Sequence, residues 1–158
     1  MADDLAELTL ERLAAEESQL RFAKFDYNDA WQLGTMLVEA GRSKNLPIAV
    51  DITRGGQQLF HAALTGSTPD NDAWIQRKVR SVLRFGHSSM YISLQRKLDG
   101  RSLADVSFVD EREFAAAGGG FPIHVEGCGI IGTVTVSGLP QREDHKLVVE
   151  TVRAFLRG

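Results

Sequence analysis

The chain has 158 residues, 43% hydrophobic and 25% charged, the balance of a globular fold that removes about 70% of its unfolded surface from water. This excludes a disordered tail, a collagen-like chain and a disulfide scaffold, the last because Cys128 is the only cysteine. With 18 basic and 21 acidic residues the net charge is −3, so no nucleic-acid partner is expected.

Taken in chain order, residues 1–18 carry Asp3, Asp4, Glu7, Glu11, Glu16 and Glu17 around Leu5, Leu8 and Leu13 at near-helical spacing. The pattern predicts an amphipathic N-terminal helix with solvated acids, suited to lie on its own domain or to act as an oligomerisation arm on a partner subunit. Leu20, Phe22 and Phe25 suggest a short strand. Asp26 then caps a helix over 27–43, with Trp31, Leu33, Leu37, Val38 and Ala40 as its apolar face. Gly34 and Gly41 share a face of that helix, which implies close approach to a sheet. Ile48, Val50 and Ile52 alternate with Ala49, Asp51 and Thr53, and Gly55-Gly56 turns the chain into a returning strand through Leu64. Thr68-Pro69 opens the next helix. That helix holds Arg77, Lys78, Arg80 and Arg84, read as a solvated face or as ion partners for the acidic helix of a neighbouring subunit. A helix over 88–98 follows, then a short one near 111–117. Gly118-Gly119-Gly120 leads into a strand over 121–126, a turn at Gly127, a β-branched strand over 129–137 and a final helix over 141–157. Glu143 and Asp144 complement the dipole of its first turn.

This order predicts an α+β fold: a mainly antiparallel sheet of about five strands with helices on both faces, three layers in all, over one domain, 1–158. No stretch approaches the length of a membrane span. The acidic start lacks the apolar core of a signal peptide. Cys128, between two glycines, reads as a small buried hydrophobe kept reduced in the cytoplasm.

The motifs are sparse. Gly127-Cys128-Gly129-Ile130-Ile131-Gly132 spells G-x-G-x-x-G, but a strand follows where a dinucleotide site needs a helix. His124, Glu126 and Cys128 alternate like metal ligands, yet Gly127 turns the chain between them, and no metal is assigned. Gly118-Gly119-Gly120-Phe121-Pro122-Ile123 is the most unusual segment, because three glycines allow close approach and expose amide donors.

Together with Gly132-Thr133-Val134-Thr135-Val136-Ser137-Gly138 and the final helix, that segment resembles the GlcG/HbpS-like family, the haem-degrading domain family. Ser137-Gly138-Leu139-Pro140-Gln141-Arg142-Glu143-Asp144-His145 and Trp74-Ile75-Gln76-Arg77-Lys78 are similar to hallmarks of its uncharacterised short subfamily, a likeness running through residues 20–157. The resemblance implies a profilin-like α/β/α fold, a homo-oligomer (dimer or higher), and binding of a small molecule, with haem a candidate for binding or oxidative breakdown. In a site of that kind Gly119, Gly120, Phe121 and Pro122 form one wall. His124 and His145 supply polar groups, and Lys78 or Arg77 meets a ligand carboxylate such as a haem propionate. No axial haem ligand maps onto the chain from the family motif. The alternative is a non-catalytic oligomeric scaffold or adaptor, built on the acidic first helix and the basic segment at 77–84.

Overall fold

The computed structural model describes residues 7–158. The first turn expected to carry Asp3, Asp4 and Leu5 lies outside the described residues. Among the described residues the elements are α1 (Leu10–Gln19), α2 (Tyr27–Ser43), β1 (Ala49–Arg54), β2 (Gln57–Ala63), α3 (Pro69–Phe85), α4 (Ser89–Asp99), α5 (Leu103–Ser107), β3 (Gly120–Val125), β4 (Gly129–Ser137) and α6 (Gln141–Arg157). The strands form one antiparallel sheet in the order β2-β1-β4-β3. Helix α2 begins with a reciprocal cap: Asp26 accepts from the Asp29 amide at 2.9 Å, and Asp29 accepts from the Asp26 amide at 2.8 Å.

The sheet alternates. Val50, Ile52, Phe121, Ile123, Val134 and Val136 point into the main core, under α2 and α6, which contribute Leu33, Leu37, Val148 and Val152. Glycine at 34 is required by this packing, since a Cβ there would run into the Phe60 ring. The other face carries Ala49 against Ile75 and Val79 of α3. This side is polar as well as apolar: Asp51, Thr133 and Thr135 are all buried. Asp51 accepts from Thr53 Oγ1 and Gln58 Nε2, each at 2.7 Å.

Several expectations change. The strand at 20–25 reduces to a single bridge, Phe22 to Val125. Leu20 still caps α1 and Asp26 already caps α2, so too few residues remain to extend a ladder, and the sheet has four strands. The short helix forms at 103–107, where Ser102 and Asp105 make a capping box. Residues 111–117 instead turn and lead toward β3, with the Ala115 amide donating to Ser81 Oγ at 3.1 Å. Trp31 is 66% exposed, because the inward stripe of α2 passes through Ala30, Leu33, Gly34, Leu37 and Gly41. Cys128 is exposed, lifted onto the β3–β4 turn between Gly127 and Gly129, both at positive φ.

Candidate functional site

The N-terminus of α6 is the point where the glycine segment, α3 and α1 converge. Two consecutive side chains there, Asp144 and His145, enter two different clefts. Both are buried, at 2% and 5% exposure.

Asp144 reaches back to the loop before its own helix. Its Oδ1 accepts from the Leu139 amide at 3.0 Å, and its Oδ2 pairs with Lys78 Nζ at 3.1 Å. Lys78 also donates to the Val136 carbonyl at 3.0 Å and is 3% exposed. Burial pushes the Asp144 carboxyl up to about 6, against the pull of Lys78 and the loop amides. Burial also draws the Lys78 ammonium below the usual lysine range, with Asp144 opposing it. Gly119, at positive φ, covers the pair; a Cβ there would lie 2.7 Å from Lys78 Nζ. The glycine segment is tied down on both sides, by Ser89 Oγ to the Gly120 amide at 2.8 Å and by Gln141 Oε1 to the Gly118 amide at 2.9 Å. Beside the pair opens a cleft of about 290 Å³ lined by Trp74, Ala117, Ser137 and Leu139 among others.

His145 faces α1. Its Nε2 lies 2.9 Å from Glu16 Oε1, its Nδ1 is buried without a hydrogen-bond partner among the described residues, and its ring lies 6.2 Å from that of Phe121. The cleft here holds about 570 Å³ between α1 and α6, with apolar Leu8, Leu13 and Val149 and with Arg12 and Arg153 on its walls. The neighbouring Glu17 joins His87 Nδ1 at 3.0 Å and accepts from the Ser88 amide at 3.2 Å. Burial raises its carboxyl above the usual range, while His87 pulls it down.

The expected site residues therefore divide. Gly119, Gly120 and Lys78 are brought together with Asp144. Phe121 is a core residue whose edge meets His145. Pro122 and His124 alternate with Ile123 and Val125, so they face away from the α6 core and from His145. The two histidines do not share a site. Arg77 donates to the Glu111 carbonyl at 2.7 Å and stacks 4.6 Å over Trp74. Lys78 meets the Asp144 carboxylate of its own chain. The basic segment is split: Arg80 and Arg84 are exposed, with Arg80 donating to the Glu113 carbonyl at 3.1 Å, whereas Lys78 is buried. The acids of α1 are not all solvated: Glu16 and Glu17 hold histidines of their own chain. Sequence reasoning missed Asp144 and Glu16 as site residues. The readable signal for Asp144 was an acid one turn into a helix after Gly-x-Pro, in reach of the preceding loop. Glu16 had no local signal.

The family model described as "Haem degrading protein HbpS-like" matches residues 25–153. A UPF0303 protein of Streptomyces avermitilis is 54% identical over 148 residues, covering 94% of this chain and 91% of its own. The crystal structure of the Ybr137w protein superposes with a TM-score of 0.89 at 36% identity, covering 96% of this chain and 90% of that one. The structure of a PduOC:heme complex shares the fold, with a TM-score of 0.70 at 18% identity, over 83% of this chain and 94% of that one. Among the described residues no helix is long and apolar enough to cross a membrane.

Proposed function

The chain belongs to the HbpS-like family of haem-degrading proteins, and from that membership we propose that it binds a small amphipathic anion, with haem the candidate, in the cleft between α1 and α6. The observation that carries the reading is His145 in that cleft, a buried imidazole with one nitrogen held by Glu16 and the other without a partner among the described residues. A carboxylate on one ring nitrogen orients an imidazole and raises its basicity toward a ligand on the other. The volume, about 570 Å³, lies within the range of ligand pockets. Of the residues lining the cleft, Arg12 and Arg153 would pair with propionates, set against the carboxylates of Glu143 and Glu150, Leu13 and Val149 would meet the ring, and His145 would supply the imidazole for the iron. Bound haem supplies a redox-active iron and an oxidisable macrocycle. The protein's own part is to exclude water and fix the imidazole through Glu16. A fold neighbour described as a heme complex supports the choice of ligand. In this reading the protein works in the cytoplasm, residues 20–157 form the binding domain, and Gly119 and Gly120 act by positioning α6 rather than by touching the ligand.

Haem titration tests it. A saturable Soret band is expected, with affinity reduced about tenfold in His145→Ala and in the surface variant Arg153→Glu. Loss of that band on adding ascorbate supports breakdown. Non-saturating binding, equal in all three proteins, overturns the reading.

Self-association is a second reading. Pairing of an acidic helix of one subunit with a basic helix of the next is weakened because Glu16, Glu17, Arg77, Lys78 and Arg80 are engaged within the chain. A different observation favours it: Tyr27 and Trp31 are 60% and 66% exposed beside the edge strand β2.

A further inference from the structure

Lys78 and Asp144 lie in the other cleft, and haem binding between α1 and α6 makes no use of them. Three observations coincide there. Lys78 is 3% exposed, withdrawn from bulk water, yet is among the residues lining a cleft of about 290 Å³. A carboxyl group stands 3.1 Å from it, itself anchored by the Leu139 amide. The backbone above the amine is glycine, where a side chain would collide with Nζ. A buried ion pair of this kind gives little net stability compared with apolar packing, and a desolvated lysine in a cleft is a typical amine nucleophile.

The geometry points to Lys78 as a nucleophilic amine that captures a short, neutral aldehyde as an imine, with Asp144 relaying the protons. The charged side chains lining the cleft among the described residues are Asp70, Lys78 and Asp144, so no second cation is present to hold a carboxylate on the substrate. The volume admits a molecule of a few carbon atoms, and Trp74 offers its apolar portion a surface.

The step balances on the groups present. One proton passes from the Lys78 ammonium to the Asp144 carboxylate, giving amine and acid; burial drives both groups toward these neutral forms. The Nζ lone pair adds to the carbonyl carbon while the carbonyl oxygen takes the Asp144 proton. Asp144 then removes a proton from the new N–C ammonium. The hydroxyl leaves as water with that same proton, and a C=N bond forms. The product is a protonated imine paired with the Asp144 carboxylate, so the buried charges are the same as at the start. No oxidant or reductant takes part.

Propanal with sodium cyanoborohydride traps such an imine as a stable secondary amine, mapped by peptide mass spectrometry on the full-length chain at pH 7. Lys78 is expected to be alkylated about tenfold faster than Lys24, whose side chain is 70% exposed. Asp144→Asn is expected to slow Lys78 by about tenfold and leave Lys24 unchanged. Alkylation of Lys78 no faster than of Lys24 in the wild-type chain overturns the proposal, whatever the variant does to folding. An unchanged Lys78 rate in folded Asp144→Asn overturns the relay.

Discussion

Asp144 is a carboxyl group whose ionisation and whose burial work against one another. Its ordinary value of 3.8 rises to about 6 in the fold. Between those values the folded chain keeps a proton that the unfolded chain has released, so stability falls as pH rises. The contribution is complete below about pH 4 and lost above about pH 6, an amount of about 3 kcal/mol at 1.36 kcal/mol per pH unit. Asp144→Asn removes this dependence. Urea unfolding at pH 4 and pH 7 should therefore show the wild type losing about 2–3 kcal/mol of its advantage over the variant between the two conditions. A growing advantage toward pH 7 would mean that Lys78 outweighs burial and holds the carboxylate ionised. The buried threonines pose a simpler case. Thr133 and Thr135 have hydroxyls without partners among the described residues, and each carries a desolvation cost that valine would not. That cost is tolerated on the face of the sheet opposite the main core.

At the scale of elements, α1 is the one most dependent on two side chains. Its buried apolar content is Leu13 alone, so packing holds a ten-residue helix weakly. Glu16 to His145 and Glu17 to His87 and Ser88 supply the specific ties. The His87 ring is stacked on Tyr91 with centroids 3.8 Å apart, which fixes that partner. Replacing both acids by alanine should raise hydrogen exchange across Leu10–Gln19 while leaving β1 and β4 protected, at a cost of about 1–3 kcal/mol. Unchanged exchange in α1 would show that Leu13 and its neighbours hold the helix unaided. The helix also illustrates which parts of the molecule its sequence discloses. Asp26, Thr68-Pro69 and Gly55-Gly56 were legible because a cap or a two-residue turn is decided within a few residues. Lys78 was legible only as a cation, since its partner is 66 residues away and nothing local specifies burial of a charge. Trp31 misled because composition says apolar, whereas the helix phase turns it outward. Cys128 misled for the same reason at a turn.

Considered as a whole molecule, the sheet is closed at one end and open at the other. At the β3 edge, Phe22 donates to the His124 carbonyl at 2.8 Å and accepts from the Glu126 amide at 2.9 Å, which covers part of that strand. At the β2 edge no described strand pairs beyond Gln57–Ala63, and an open edge with apolar neighbours is prone to pairing with another chain. Tyr27 donates to Gln57 Oε1 at 3.0 Å and lies 4.5 Å under the Arg54 guanidinium, while the Trp31 ring packs 5.7 Å from Phe60. These contacts hold the two exposed rings rigidly against the edge strand, so they lose little freedom when covered. In the self-association reading a second copy adds to this edge about a two-fold axis, the way an antiparallel edge meets its own copy. Trp31→Glu should lower the mass measured by light scattering while the thermal midpoint stays within a few degrees, since a side chain this exposed contributes little to the monomer fold. Phe108→Ser, at an exposed left-handed position remote from β2 in sequence, should leave the mass unchanged. Equal masses for the wild type and Trp31→Glu would remove this edge as the site of assembly. A drop in Phe108→Ser instead would move the interface to the loop after α5.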